Sequence, residues 1–407
     1  MRTKKYYICV TPFFPSPANW RGAYVYDQVK AIMRNSDYEV VVFKTSNIGS
    51  REQSYVLDGI QVYTLPTLFM PSYILNGLTE GILGKCFLYA LHKNKIDIQR
   101  IAFVHCHTAN HAAFGLALKK INPSVKVLVQ FHDLDPLTIR NGKWADKRWN
   151  SRYRARKSIN AINKADLLIC ISEPVRDALL SFPRPRVGEV YESALRILDN
   201  LADFEPVHPK NVYVLNNGVD ISLFTPLDNL NMHKDIFKIG CVANFQELKD
   251  HQTLLEAFCH LINKGYTNMR LSLLGTGSTR SAIESYINEH KLAEYVEWPE
   301  EVPHAMLPKY YRSLDLFVLP SFYEGFGCVY TEAYACGVPF MGCYNQGAAE
   351  CIVPEDKDLW LIEPRNALQL ASRIENYYHM RPRQRLCKPY DINVLIKDFL
   401  EYLSRTF

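Results

Sequence analysis

Short apolar runs rich in β-branched and aromatic residues alternate along this chain with longer segments in which apolar residues recur every three or four positions. The short runs have the length and composition of buried strands, and the longer segments have the periodicity of amphipathic helices. The predicted strands lie near residues 6–10, 38–44, 101–105, 125–131, 166–171 and 211–215 in the first half, and near residues 236–242, 269–274, 295–298, 314–319, 337–342 and 358–361 in the second.

Helical spacing is clear in residues 252–263, where Leu254, Leu255, Phe258 and Leu261 recur on one face. Helices and strands alternate through both halves, which is typical of parallel sheets with helical crossovers. We therefore predict an α/β protein with two Rossmann-like, doubly wound domains that face a central cleft. Ligands of such folds bind beyond the carboxyl ends of the strands, so we expect the chemistry there.

The length of 407 residues also favours two domains, because a single hydrophobic core usually stops growing at about 250–300 residues. The polar, proline-containing residues 222–235 are the best candidate for a linker. The prediction is one Rossmann-like domain over residues 1–221 and a second over residues 236–385. Residues 386–407 form a C-terminal helical segment that could pack back on the first domain.

Composition excludes several classes of protein. A hydrophobic share of 48% with 22% charged residues is that of a globular protein, and a net charge of +5 is too small for a dedicated nucleic-acid binder. The eleven cysteines occur without a CxxC pair, as reduced core residues do. The most apolar stretch, residues 68–91, is interrupted by Pro71, Glu80 and Lys85, so we expect no membrane-spanning helix. The predicted location is the cytoplasm, at most at the inner face of the membrane.

One segment is unusually basic. From Arg140 to Lys157 it carries eight arginines or lysines against the single acid Asp146, with Trp144 and Trp149 among them. Two interpretations stay open. The segment is either a solvated helix face, or a patch for anionic lipid headgroups of the inner leaflet or for a phosphorylated acceptor.

The most informative segment is residues 319–339, in which a predicted strand ends and a glycine-containing loop leads into a helix near Gly327. Free backbone amides at a helix start favour a diphosphate, and glycine lets the backbone approach it closely. Glu324 on the loop and Glu332 in the helix flank this helix start. A carboxylate accepts hydrogen bonds from adjacent hydroxyls, so the pair suits a sugar and a ribose diol, although two solvated glutamates would show the same spacing.

These residues carry a resemblance to a known family. The pair Glu324 and Glu332, with glycines between and after them, resembles the signature of family 4 retaining glycosyltransferases, also called group 1, which have the GT-B fold. Residues 217–220, Gly347 and Glu350 are similar to further motifs of that family. The motifs occur in order from Pro12 to Glu363 and so cover most of the chain.

The resemblance implies roles for residues of the second domain. It places Glu324 at the transferred sugar as a catalytic residue and Glu332 on the nucleotide ribose. It assigns the backbone amides of the loop and helix start to the donor, at Gly325, Phe326 and Gly327. Two further donor residues follow strand 236–242: Lys249 matches the family lysine that meets the diphosphate during catalysis, and Asn244 stands where the family often has an arginine.

The first domain holds the other candidates. His132 ends a predicted strand, where the family places a histidine beside the transferred sugar as a catalytic group; a merely structural histidine is the alternative. Residues 17–23 resemble the family's glycine-rich loop under the phosphates, with Gly22 as a donor residue. Arg21, His105 and His107 are candidates for binding the acceptor, and a buried structural role is the alternative for the two histidines.

We expect neither a metal nor another cofactor. Asp133 and Asp135 match the aspartate pair of a different, single-domain transferase fold, which would leave the second sheet unexplained. The resulting expectation is a metal-independent, retaining hexosyltransferase. It would move a sugar from a nucleotide diphosphate to a glycan or lipid-linked acceptor, as in bacterial lipopolysaccharide or other surface polysaccharide synthesis. The alternatives are a nucleotide-sugar epimerase and a catalytically silent sugar-nucleotide-binding protein on the same fold.

Overall fold

The computed structural model divides the chain into two compact units, Met1–Gly218 with Ile392–Phe407, and Val219–Asp391. For residue 80 and residues 149–155 it describes the backbone alone. The described residues are 3–16, 19–47, 49–50, 52–67, 80–132, 149–181, 205–226, 235–300 and 302–407.

Strands of the first unit form one sheet. They are β1 (Tyr6–Thr11), β2 (Glu39–Asn47), β3 (Tyr55–Leu57), β4 (Ile60–Thr67), β5 (Ile101–His107), β6 (Lys126–Phe131), β7 (Leu167–Cys170) and β8 (Val212–Val214). Their order across the sheet is β3-β4-β2-β1-β5-β6-β7-β8. The neighbours β1 and β5, β5 and β6, and β6 and β7 run parallel, and their apolar side chains are buried, as strands covered on both faces require.

Helices of the first unit connect these strands. They are α1 (Ala23–Asn35), α2 (Glu80–Lys93), α3 (Ala112–Lys119), α4 (Trp149–Lys164) and α5 (Glu173–Ser181). Helix α1 joins β1 to β2, and helix α3 joins β5 to β6, so each is the crossover of a parallel strand pair.

The second unit repeats the plan with a smaller sheet. Its strands are β9 (Phe237–Val242), β10 (Met269–Leu274), β11 (Val296–Glu297), β12 (Leu316–Val318), β13 (Phe340–Cys343) and β14 (Leu361–Ile362). They lie in the order β11-β10-β9-β12-β13-β14, with parallel pairs throughout. Its helices are α6 (His251–Asn263), α7 (Arg280–Glu289), α8 (Leu307–Tyr311), α9 (Cys328–Ala335), α10 (Lys357–Trp360) and α11 (Ala367–Met380).

The last helix, α12 (Ile392–Thr406), belongs to the first unit although the chain reaches it after the second. Its buried residues include Phe399, whose ring lies 5.4 Å from that of Tyr213. At its start, the backbone approaches Gly218 closely, because a Cβ on that glycine would lie 2.6 Å from the Cα of Ile392. The first unit is therefore built from two separate stretches of the sequence.

The predicted strands are confirmed apart from the last. Residues 357–360 are the short helix α10, and strand β14 follows it, because a short apolar run such as Trp360-Leu361-Ile362 suits a buried helix turn as well as a strand. The hairpin of β3 and β4 was not predicted. Its turn is Asp58-Gly59, with φ of 49° and 81°, and this dipeptide is a sequence signal for a tight hairpin.

Candidate functional site

A pocket of about 440 Å³ lies in the second unit at the carboxyl ends of β9, β10 and β12. Parallel strands end at the same edge of a sheet, so residues far apart in sequence meet there. Four predicted site residues line this one pocket: Asn244, Lys249, Glu324 and Gly327. Residues that the sequence analysis named from separate motifs therefore lie in one pocket.

The ammonium of Lys249 forms an ion pair with the carboxylate of Glu324 inside this pocket. Their side chains are 18% and 15% exposed, so each charge has lost much of its water. A desolvated charge is costly without a partner, and each residue supplies that partner for the other. Lys249 ends a short 3-10 turn, and the next residue, Asp250, caps helix α6 through the backbone N–H of Thr253.

The loop that carries Glu324 is held by the segment after β13. The backbone N–H of Glu324 donates to Oε1 of Gln346 at 2.8 Å. The N–H of Gly347 donates to the carbonyl of Glu324 at 3.3 Å, and a Cβ on this glycine would lie 2.3 Å from the Cα of Phe326. Gly347 was part of the sequence motif. Gln346 was missed, because no local sequence pattern indicates that a glutamine side chain will hold a distant loop.

Helix α9 begins beside the same carboxylate. Gly327 precedes it with φ of 81° and ψ of 75°, a left-handed conformation that glycine adopts at little cost, and this confirms the predicted helix start. Cys328 and Val329, in the first turn, line the pocket. The first amides of a helix lack intrahelical acceptors and carry its positive dipole end, so an anion is favoured here. The side chain of Phe326 is buried against Tyr390, with 5.7 Å between the rings.

Glu332 lies further along helix α9 and is half-buried. Its Oε2 accepts a hydrogen bond of 2.8 Å from the hydroxyl of Tyr311. Burial raises the pKa of Glu332 to about 7, and the Tyr311 hydrogen bond opposes this shift. The carboxyl is therefore partly protonated near pH 7, and further hydroxyl donors would favour its ionised form. Sequence reasoning found Glu332 but not Tyr311, because a single tyrosine on a short helix carries no signal of its own.

Gly275 also lines the pocket and was not predicted. It follows β10 with φ of 149°, and a Cβ there would lie 2.0 Å from the carbonyl oxygen of Ala243. Two residues later, Gly277 has φ of 155°, and a Cβ there would lie 2.2 Å from the carbonyl oxygen of Phe245. A Gly-x-Gly pattern directly after a strand was the available signal.

In the first unit, His132 directly follows β6, and its ring packs at a tilt against that of Tyr24 at the start of α1, with 4.8 Å between ring centroids. Its Nε2 lies 2.8 Å from Nδ1 of His107. Burial lowers the pKa of His132 to about 3. The ring is therefore neutral near pH 7, so it suits a hydrogen-bonding role better than charge stabilisation.

His105 and His107 both lie within strand β5, which extends two residues beyond the predicted strand 101–105. Both are 1% exposed and stack at 4.4 Å. Burial lowers the pKa of His105 to about 3 and that of His107 well below its usual value. Nδ1 of His105 is hydrogen-bonded to the hydroxyl of the buried Tyr7 at 2.8 Å, whereas His107 is hydrogen-bonded to His132.

The loop before α1 holds the remaining candidates. Gly22 has φ of 92°, and a Cβ on it would lie 2.6 Å from the carbonyl carbon and oxygen of Phe13, so only glycine fits. The guanidinium of Arg21 is exposed and lies 4.7 Å from the ring centroid of Phe13. The backbone N–H of Arg21 donates to Oδ1 of Asn19 at 2.8 Å.

Some predictions fall outside the described residues. These are the Asp133 and Asp135 pair, residues 140–148 of the basic segment, and residues 227–234 of the linker. Where the structure does describe the chain, no group of three or more His, Cys, Asp or Glu side chains is placed to hold a metal ion. Across those same residues, no helix combines the length and the apolar character needed to cross a membrane.

Two family models match the chain, one over each half. Residues 22–191 match Glycosyltransferase Family 4, and residues 228–393 match Glycosyl transferases group 1. The chain belongs to the family 4, group 1 glycosyltransferases. This confirms the resemblance drawn from the motifs around Glu324 and Glu332, which lie inside the second match.

Curated relatives match part of this chain. The putative glycosyltransferase EpsF of Bacillus subtilis (strain 168) is 34% identical over 140 residues, which is 32% of this chain and 35% of EpsF. The D-inositol 3-phosphate glycosyltransferase of Paenarthrobacter aurescens (strain TC1) and the putative colanic acid biosynthesis glycosyltransferase WcaL of Escherichia coli (strain K12) are each 28% identical over 171 residues. Those two matches cover 40% of this chain and 41% of each relative. The chain thus spans well under half the length of these three relatives.

Solved structures match nearly the whole chain. Sucrose-phosphate synthase from Thermosynechococcus elongatus has a TM-score of 0.68 at 19% identity, covering 97% of this chain and 94% of that one. Anabaena Alr3699/HepE in complex with UDP and glucose has a TM-score of 0.65 at 17% identity, covering 98% and 99%. At such low sequence identities, the similarity to these structures shows the fold alone. The fold is GT-B, which confirms the prediction of two Rossmann-like domains.

Proposed function

We propose that this chain is a metal-independent, retaining glycosyltransferase that moves a hexose from a nucleotide diphosphate onto a glycan or lipid-linked acceptor. The observation that carries the proposal is the pocket of the second unit, where Lys249, Glu324 and the start of helix α9 share one wall. A cation, a carboxylate and a positive helix end are the groups that a sugar diphosphate requires.

The diphosphate is assigned to Lys249 and to the amides at the start of α9. Departure of the nucleotide builds negative charge on its outer phosphate, and positive groups fixed nearby stabilise that charge in the transition state. Asn244 adds a neutral donor where the family often has a second cation. These residues supply the positive charge from the protein itself, which supports a reaction without a metal ion.

The transferred sugar is assigned to Glu324. In the free pocket, its carboxylate is paired with Lys249, so both charges are compensated before the donor arrives. We infer that donor binding draws the ammonium onto the phosphates, while the carboxylate accepts hydrogen bonds from sugar hydroxyls. The loop position of Glu324 is fixed through Gln346, which leaves the side chain to adjust without moving the backbone.

The ribose is assigned to Glu332, whose carboxylate has lone pairs beyond the one that accepts from Tyr311. In the first unit, His132 would hydrogen-bond the transferred sugar, and Gly22 would let the backbone approach the phosphates. The acceptor is assigned to Arg21. The burial of His105 and His107 favours a structural or positioning role for both histidines.

Retention is proposed to follow from front-face attack. The bond between the anomeric carbon and the phosphate oxygen breaks, and the acceptor oxygen bonds to that carbon on the same face. The acceptor proton passes to the departing phosphate oxygen. Lys249 and the helix amides hold the leaving phosphate where it can take this proton.

The names of the relatives and structural neighbours indicate a biological role and the donors to test first. EpsF is a putative glycosyltransferase, WcaL is named for colanic acid biosynthesis, and the HepE structure contains UDP and glucose. We therefore propose a role in bacterial surface polysaccharide synthesis at the cytoplasmic side of the membrane. UDP-hexoses are the first donors to test.

The test has two stages. Soluble UDP, GDP and ADP are compared by thermal unfolding, since a bound nucleotide raises the melting temperature more as its saturation increases. The best nucleotide is then supplied as its hexose derivatives with candidate lipid-linked acceptors, and the anomeric configuration of the product is read by NMR. Retained configuration and a requirement for acceptor support the proposal. Inversion of configuration, or conversion of the donor to an epimer without acceptor, would overturn it.

A further inference from the structure

A second cavity lies in the first unit, in a groove between helices α2, α3 and α4, with a volume of about 780 Å³. Nothing in the proposed reaction uses it. Its floor is apolar and is formed by Leu88 of α2 together with Ala113, Leu116 and Ala117 of α3. A groove of this size with an apolar floor is large enough to take up hydrocarbon.

Small residues create the groove. Helix α2 lies so close to α3 that a Cβ on Gly84 would be 2.6 Å from the Cβ of Ala117. Gly81, one turn earlier on α2, and Ala161 on α4 also line the cavity without filling it. The packing of the three helices therefore leaves an open channel where longer side chains would have closed it.

The rim of the groove is basic. Five lysines line it, and no acidic residue is found among the described residues of its lining. Lys119 is neutralised by an ion pair with Asp166. Lys85, Lys120 and Lys164 are exposed and come from three different helices or helix ends, so their charges surround the opening.

Large apolar side chains near this rim are exposed to solvent. Ile82 and Tyr89 are 53% and 67% exposed, and they share one stripe of α2 with Lys85 because residues three and four apart lie on the same helix face. Ile121, two residues after α3, is 53% exposed and lines the groove itself. Exposed apolar groups gathered around a charged opening mark an interaction surface.

We propose that this face, made of the groove and the exposed stripe of α2, binds the surface of an anionic lipid bilayer. Lysines attract anionic headgroups, and their long aliphatic stems let the ammonium groups reach the headgroup layer while apolar neighbours enter the acyl boundary. The groove floor then receives hydrocarbon at the same depth as Ile82, Tyr89 and Ile121. A purely electrostatic partner such as a nucleic acid would leave these apolar side chains without a role.

The proposal goes beyond the transferase reaction and does not depend on it. It would bring the enzyme to the surface where a lipid-linked acceptor resides. It also rests on residues other than the basic segment 140–157, with which it shares only Lys157 of the groove lining.

The test is sedimentation of the full chain with two kinds of vesicle, phosphatidylcholine alone and phosphatidylcholine mixed with phosphatidylglycerol. The wild-type chain should sediment only with the mixed vesicles. Each lysine near an anionic surface contributes about fivefold in partitioning, so Lys85→Glu with Lys120→Glu should weaken binding by more than about 25-fold. The matched control reverses two exposed lysines that do not line the groove, Lys291→Glu with Lys397→Glu, and carries the same net charge.

A second pair of variants tests the apolar part without changing charge. Ile82→Ser with Tyr89→Ser should lower binding to the mixed vesicles, whereas Val394→Ser, an exposed apolar position on α12, should not. Circular dichroism verifies that each variant is folded. Equal losses in the groove and control lysine pairs, binding to heparin but not to vesicles, or no binding to either vesicle would each overturn the proposal.

Discussion

Nδ1 of His107 lies 2.8 Å from Nε2 of His132, and the two rings stack with an interplanar angle of 9°. Burial lowers the pKa of both rings, so both are neutral and one N–H must occupy this contact. A second N–H then lies either on Nε2 of His107 or on Nδ1 of His132. Nε2 of His107 and Nδ1 of His132 are both buried, and neither has a hydrogen-bond partner among the described residues.

This contact predicts that His107 positions His132 for the reaction. His107→Phe keeps an aromatic ring in the stack but removes the hydrogen bond, and we expect kcat to fall about fivefold to tenfold, the worth of one such bond. The matched control is His105→Phe, which leaves the contact between His107 and His132 intact. Steady-state kinetics of both variants distinguish the roles. Equal losses of kcat in the two variants would show that the histidines matter only for packing.

The ion pair between Lys249 and Glu324 predicts strong effects on transfer. Glu324→Ala should abolish transfer while the protein stays folded. Lys249→Ala should lower kcat by about 100-fold to 1,000-fold, as expected when one fixed group that stabilises the leaving charge is lost. Lys291→Ala, an exposed lysine of the same unit, serves as control. Near-normal turnover of Glu324→Ala, with melting temperatures unchanged, would refute the assigned role.

The raised pKa of Glu332 predicts that nucleotide affinity depends on pH. In the protein without nucleotide, the carboxyl of Glu332 has a pKa of about 7. Ribose hydroxyls donate hydrogen bonds to its ionised form, so the molecules in which Glu332 is protonated must release that proton when the nucleotide binds. Affinity for UDP should therefore be constant well above pH 7 and weaken below it, by up to about tenfold per pH unit. Isothermal titration calorimetry between about pH 5.5 and 8.5 brackets that pKa and measures the effect directly.

The control for that titration is Glu332→Gln, which cannot ionise. Any pH dependence left in this variant belongs to the phosphate of the nucleotide, whose second pKa is about 6. The prediction concerns the difference in the pH dependence of UDP affinity between the wild-type chain and Glu332→Gln. Identical pH profiles for the wild-type chain and Glu332→Gln would contradict it.

The backbone at Gly22 predicts a stability effect that can be separated from catalysis. Gly22 and Gly49 have φ of 92° and 96°, but a Cβ meets Phe13 at 2.6 Å in the first and nothing within 4 Å in the second. Alanine at either position incurs the cost of a left-handed conformation, about 1–2 kcal/mol. Gly22→Ala should lose about 1–3 kcal/mol more, because Phe13 must move.

Urea denaturation of the two alanine variants measures this difference. The comparison cancels the shared cost of the positive φ, so the remainder reports the close approach of the loop to Phe13. Equal unfolding free energies for Gly22→Ala and Gly49→Ala would mean that the loop relaxes freely around an added methyl group.

The sequence by itself determined the repeating strand and helix plan, the family, and the residues of the helix start around Gly327. These features are local. A buried parallel strand is a short apolar run, a crossover helix has its own period, and the positions from Glu324 to Glu332 form one continuous segment. The strand prediction failed only where a run was too short to distinguish helix from strand, as at Trp360, and it overlooked the Asp58-Gly59 turn.

Only the tertiary structure decided which distant residues meet. It paired Lys249 with Glu324, Glu332 with Tyr311, and His107 with His132, and it returned helix α12 to the first unit. It also left a lysine-rimmed groove between three helices. Such contacts depend on the order in which strands align and on the depth to which side chains are buried. Neither quantity is encoded in a local pattern, because each is set by packing against residues far away along the chain.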